Sequence, residues 1–171
     1  DQTQVYRAVT GSRLHGLSQP ESDWDYWVVV DEPQHPAPTL SARKILHEIF
    51  DGPDRQTYDV TLVGLPTFMR LCANGVPQAL EALFSRQPEL DLLGAPFRAS
   101  YRVNPQTMDT TYRRVIAEAM HAAESAADTH RRYKARRHAI RLCVNRDYGL
   151  RHGRFFDLHH RAPEGTGQNS S

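Results

Sequence analysis

Cysteine is almost absent: the chain of 171 residues has two, Cys72 and Cys143. Both fall inside apolar helical patterns. They read as small core residues in a reducing compartment and exclude a disulfide framework. Nine histidines are present, but none stands with cysteine at a zinc-site spacing. No apolar run approaches the roughly 20 residues that span a bilayer, and no signal peptide is visible. The chain is expected to be soluble and cytoplasmic, with no membrane partner. A strong charge bias is missing too. The formal net charge of +1 excludes binding of nucleic acid through bulk basicity alone.

What is present is ordinary in bulk and uneven in placement. Hydrophobic residues make up 39% and charged residues 24%, as in a soluble globular protein. The length suits one domain with a proper core. We expect that domain over residues 1–161, with a sheet core at 1–90, a helical part at 106–161 and a disordered tail at 162–171. From His130 to Arg161, ten Lys or Arg face two Asp. Such a patch suits a polyanion or, equally, a solvated helix face.

The most informative stretch runs from Thr10 to Val30, TGSRLHGLSQPESDWDYWVVV. Gln4 to Thr10 alternates and is predicted to be the first strand. It leads into Gly11-Ser12-Arg13 and a turn-rich interval. Asp23-Trp24-Asp25 then opens a β-prone run to Asp31. Residues 23 and 25 of a strand share a face, so their carboxylates repel. A divalent cation is the usual relief, and Mg²⁺ takes one or two carboxylates plus substrate phosphates. Gly11 permits close backbone approach, and exposed N–H groups with the Ser12 hydroxyl suit phosphate oxygens. A phosphate cradle beside a carboxylate metal seat points to phosphoryl-group chemistry. Ser22 reads equally as an orienting residue for the acidic pair and as a turn serine. Arg13 would meet phosphates or the acidic cluster, and His15 reads as structural. Trp24 and Trp27 read as core aromatics.

Gly-Ser, a ten-residue spacer and Asp-x-Asp at the head of a strand resembles the signature of the DNA polymerase β-type nucleotidyltransferases. The fuller pattern is Gly11-Ser12-Arg13-x-x-Gly16 with Ser22-Asp23-x-Asp25. It is similar to the branch that includes the RNA-repair-pathway (RlaP-like) family. That branch continues with an Asp before an apolar strand, here Asp59-Val60-Thr61-Leu62. A segment like Asn74 to Phe84 follows, and then a helix matched by Lys134, His138, Arg141 and Leu142. The resemblance implies an α/β (α+β) polymerase-β-like domain, a small mixed twisted sheet backed by helices, with a C-terminal helical pair. It implies Mg²⁺- or Mn²⁺-dependent transfer of a nucleoside monophosphate from a triphosphate such as ATP to an acceptor hydroxyl or phosphate, RNA by preference, with pyrophosphate release. Asp23, Asp25 and Asp59 would be catalytic and metal-binding. Gly11, Ser12, Arg13, Ser22, Lys134, His138 and Arg141 would bind nucleotide. Two other readings stay open: an antitoxin-type transferase that nucleotidylates a partner protein, and an inactive RNA-binding module.

The remaining elements follow from period and punctuation. Thr39 to Phe50 has helical apolar spacing, and Tyr58 to Val63 reads as a strand. Leu65 to Cys72 is expected to be a helix closed by Asn74-Gly75, with Pro77 opening the next one. Glu81, charged among Leu80, Leu83 and Phe84, is expected to pair with a cation of the late helix. Gln87 to Pro105 reads as an irregular connector. Thr107 to Ala127 is predicted to be a helix, and Asp128 or Thr129 would cap another over Arg131 to Tyr148. On that helix Lys134, Arg137, His138 and Arg141 cluster within about a quarter turn, beside an apolar stripe of Tyr133, Ile140 and Val144 expected to pack on the domain. A final strand or short helix around Phe155-Phe156 is expected, and His159-His160 reads as a polar surface patch.

Overall fold

The computed structural model describes residues 3–15, 22–31, 46–54, 56–85 and 88–155. Its period-two segments, rich in Val, Tyr and Thr, form strands. These are β1 (Thr3–Val9), β2 (Trp24–Asp31), β3 (Leu46–Asp51), β4 (Thr57–Gly64) and the short β5 (Leu90–Asp91). They make one mixed sheet in the order β3-β4-β2-β1-β5. The central pair, β2 and β4, is parallel, and its register sets Asp25 beside Asp59 and Trp27 beside Thr61. β1 runs antiparallel to β2 and β5, and β3 antiparallel to β4.

Helices back this sheet: α1 (Gly11–Leu14), α2 (Leu65–Ala73), α3 (Pro77–Leu83), α4 (Gly94–Ser100), α5 (Pro105–Ser125) and α6 (Thr129–His152). Proline lies in the first turn of α2, α3 and α5, where its missing N–H would have no partner anyway. Asn104 and Asp128 cap α5 and α6, accepting from the Thr107 and Arg131 backbone N–H groups at 3.1 and 2.7 Å. Such caps contribute about 1 kcal/mol each. Past α2, Gly75 takes φ 66°, the left-handed turn that ends a helix.

The core lies between the helices and the sheet face that carries Tyr6, Ala8, Val29 and Val63. Phe68, Leu80, Leu83, Met108, Tyr112 and Leu142 fill it. The buried Tyr6 hydroxyl donates to the Ala82 carbonyl at 2.6 Å, tying β1 to α3. Asp25 and Asp59 stand on this same face, because side chains two apart along a strand point the same way.

Several expectations change. Residues 46–51 are not helical. They form the edge strand β3, exposed along its whole length, while residues 39–45 lie outside the described ones. Ile45, Leu46, Ile49 and Phe50 have helical spacing, and pairing with the edge of β4 overrides it in favour of a strand. The connector at 87–105 contains β5 and α4. Pro96 falls in the first turn of α4 and so does not break it. Cys143 is exposed, and so are Tyr133, Ile140 and Val144. α6 packs instead through Ala139, Leu142, Asn145 and Gly149. Small residues allow the approach: a Cβ at Gly149 would lie 2.5 Å from Met108 Cε. Trp27 meets Phe68 in the core, but Trp24 stacks with Tyr26, whose ring stacks on Tyr58. α6 runs on to His152, and Phe155 is buried against Phe84 after it. Phe156, His159-His160 and the tail at 162–171 lie outside the described residues.

Candidate active site

The Gly-Ser turn and the acidic strand interlock. Gly11 has φ 64°, and a Cβ there would overlap the Asp25 carboxylate. Only glycine satisfies both the dihedral and the space. The Ser12 backbone N–H donates to that carboxylate, and the Thr10 N–H donates to the Asp25 carbonyl at 2.8 Å. The Ser12 amide is thereby committed to Asp25, which leaves its hydroxyl for a ligand.

Asp25 is half-buried beside Asp59 on the adjacent strand. Burial pushes its carboxyl above the usual range, and the charges of Asp59 and Asp23 push it further. Lys134 and the Ser12 N–H pull the other way without cancelling the effect. Asp23 is exposed at the mouth of β2. Asp59 Oδ1 lies 2.5 Å from His47 Nε2 on β3.

α6 supplies the opposite wall. His130, Tyr133, Lys134, Arg137, His138 and Arg141 recur at intervals of three and four and so share one helix face. All six line a cleft of about 750 Å³, together with Gly11, Ser12, Ser22, Asp23, Asp25, His47 and Asp59. A carboxylate wall therefore faces a cationic one. Deeper in, Arg141 donates from Nε to Glu81 Oε1 at 3.1 Å, and its Nη2 lies 2.9 Å from His138 Nδ1. The expected pairing of Glu81 with the late helix is present. Burial opposes the Glu81 charge, but His15 and Arg141 outweigh it and hold the carboxyl below its ordinary range.

Of the residues singled out in the sequence, Gly11, Ser12, Ser22, Asp23, Asp25, Asp59, Lys134, His138 and Arg141 meet in this cleft. Arg13 does not line it. Its Nε and Nη2 donate to the carbonyls of Asp23 and Ser22 at 3.2 and 2.5 Å. Its guanidinium lies 3.9 Å over the Trp24 ring, so it clasps the turn to the head of β2. Asp23, Asp25 and Asp59 line one cleft, although no group of three His, Cys, Asp or Glu among the described residues is arranged to cage an ion without a ligand's oxygens. Sequence reasoning missed His47, which lay in a segment assigned to a helix, and the cleft position of Tyr133, which was assigned to packing.

The model of the RNA repair pathway DNA polymerase beta family matches residues 2–160. The chain belongs to that family. No curated protein matches it. As a member of a DNA polymerase β-type, nucleotidyltransferase-like family, the chain builds its cleft from stretches far apart in sequence: the turn with β2, the edge strand β3, the head of β4, α3 and α6.

Proposed function

We propose that this family member transfers a nucleoside monophosphate from a nucleoside triphosphate to an acceptor hydroxyl or phosphate, with RNA as the acceptor. The observation that carries this reading is the opposition, across one cleft, of Asp25 and Asp59 to the Lys134, Arg137 and His138 face of α6. Each wall alone has an ordinary structural explanation. Together they form a seat for a group that is anionic and metal-bound at once.

The donor set fits a hard cation. Its atoms are carboxylate oxygens, and burial first and the Asp59 and Asp23 charges second disfavour a bare Asp25 carboxylate, which a bound cation would relieve. Mg²⁺ needs only one or two protein carboxylates when phosphates complete its shell, so a three-residue cage is not required. Asp25 and Asp59, flanked by Asp23, would hold Mg²⁺ or Mn²⁺, which when bound supplies charge neutralisation at the α-phosphate. The Ser12 hydroxyl would donate to the terminal phosphates, and Ser22 would border them. Lys134 and Arg137 would balance the triphosphate from the α6 side. Asp59 would accept the proton of the attacking hydroxyl. The new acceptor O–P bond forms as the bond from the α-phosphorus to the bridging oxygen breaks, and pyrophosphate leaves with that electron pair. Positioning and electrostatics carry most of the rate in such transfers.

A screen of pyrophosphate release tests this directly, using the four nucleoside triphosphates with Mg²⁺ or Mn²⁺, with and without RNA. Release that rises with RNA and leaves label in RNA is expected. Label in protein would reassign the acceptor to a partner polypeptide. Metal-independent RNA binding with no release from any triphosphate would overturn the enzyme reading.

A further inference from the structure

At the inner end of the cleft, α3 and α6 bury a chain of polar groups. The Glu81 side chain is only 5% exposed. A carboxylate there is costly unless paired and hydrogen-bonded. Arg141 pairs with it through Nε at 3.1 Å and Nη2 at 3.5 Å, one to each carboxylate oxygen. Two contacts orient the guanidinium plane as one contact cannot. That orientation brings Nη2 to 2.9 Å from His138 Nδ1.

The chemistry of these atoms leaves one arrangement. A guanidinium donates and never accepts. Nδ1 of His138 must therefore offer a lone pair, and the neutral ring carries its proton on Nε2. Resting on the transferase reading above, we infer that Glu81 is a positioning residue: by gripping Arg141 it fixes His138 as a neutral Nε2–H donor on the cleft wall, toward phosphate oxygens of the nucleotide. Arg141 has its charge balanced by Glu81, so the triphosphate draws its cations from Lys134 and Arg137.

The surrounding charges agree. Burial lowers the His138 pKa first and the Arg141 charge lowers it further, His15 adding to both, while Glu81 raises it. The other groups facing this point are His15 and Tyr112. His15 Nε2 stands 3.6 Å from Glu81 Oε2. The Tyr112 hydroxyl on α5 is buried and held undissociated, mainly by burial and then by the Glu81 charge. A neutral ring can donate from Nε2 to a phosphate oxygen while Nδ1 accepts from Arg141, which an imidazolium cannot do.

Ring-nitrogen NMR of the nucleotide-free protein tests the inference, with the His138 signal assigned by its loss in His138→Gln. At pH 7 the wild-type ring is expected to be neutral, with Nε2 protonated and Nδ1 bare. An imidazolium, or a proton on Nδ1, would overturn the inference. Arg141→Gln should raise the His138 titration midpoint by removing a cation and leaving an anion. Glu81→Gln should lower it. Midpoints moving the same way in both variants would indicate general loosening and would also overturn it. Should either variant fail to fold, the wild-type spectrum decides alone. These readouts need no turnover, so a negative pyrophosphate screen would overturn the transferase reading and leave the tautomer result standing.

Discussion

The two ends of the cleft contain similar groups in opposite states of balance. At the α3–α6 end, Glu81, Arg141 and His138 satisfy one another within 3.5 Å. At the sheet end, Asp25 and Asp59 sit in register on neighbouring strands with Asp23 nearby, and the Asp25 carboxyl is driven up by burial and by its neighbours' charges. The Glu81 charge is compensated at the first end, while burial and neighbouring carboxylates leave the Asp25 charge disfavoured at the second. Charge balance thus separates Glu81 and Arg141, which satisfy each other, from the carboxylates of the sheet end.

Neutralising the unbalanced end should have the largest effect on activity and little cost in stability. Asp25→Asn is expected to reduce transfer by about 10³-fold. Its stability at pH 7 should equal or exceed that of the wild type. In the folded chain the Asp25 carboxyl binds its proton more tightly than in the unfolded chain. Its ionisation therefore lowers stability as pH rises from the unfolded value to the folded one. Asparagine removes that penalty, so the advantage should disappear below about pH 4. Thermal melts at pH 4 and pH 7 would check the sign. A variant much less stable than wild type at pH 7 would break the comparison.

The balanced end should respond in the opposite way. Glu81→Ala leaves Arg141 uncompensated inside the protein and should cost about 3–5 kcal/mol in urea unfolding. A loss below about 1 kcal/mol would mean that the network is solvated and does not position anything. Lys134, exposed on the α6 face, should show the smallest change. Lys134→Ala should raise KM for the triphosphate by about tenfold, in line with one charged contact. The stability change should stay within about 0.5 kcal/mol. An unchanged KM would move the triphosphate away from α6.

Much of this was legible in the sequence, for reasons that can be named. Asp128 and the first-turn Pro77 are local signals, and the helices they open start about where expected; α5 begins at Pro105, two residues before the expected Thr107. Gly11 and Asp25 lie in one short stretch, so their shared place in the cleft could be anticipated. β3 could not be, because its apolar residues have helical spacing and only pairing with the edge of β4 makes it a strand. His47 was hidden with it, since its place beside Asp59 depends on strand register. On α6 the apolar stripe of Tyr133, Ile140 and Val144 misled. Helix contact depends on how closely a backbone can approach, and Gly149 and Ala139 serve that better than larger side chains do. Arg13 was expected to meet phosphates or the acidic cluster; it holds the backbone carbonyls of Ser22 and Asp23 and stacks on the Trp24 ring.

The fit of Gly11 against Asp25 has a consequence for how the cleft comes into being. The turn cannot close around a carboxylate that has not arrived, and the carboxylate loses its amide donor if the turn opens. During folding, and in any local fraying of the native chain, the two should therefore appear and vanish as one cooperative unit. Exchange protection at the Ser12 amide would then report the integrity of the acidic strand as well as that of its own loop.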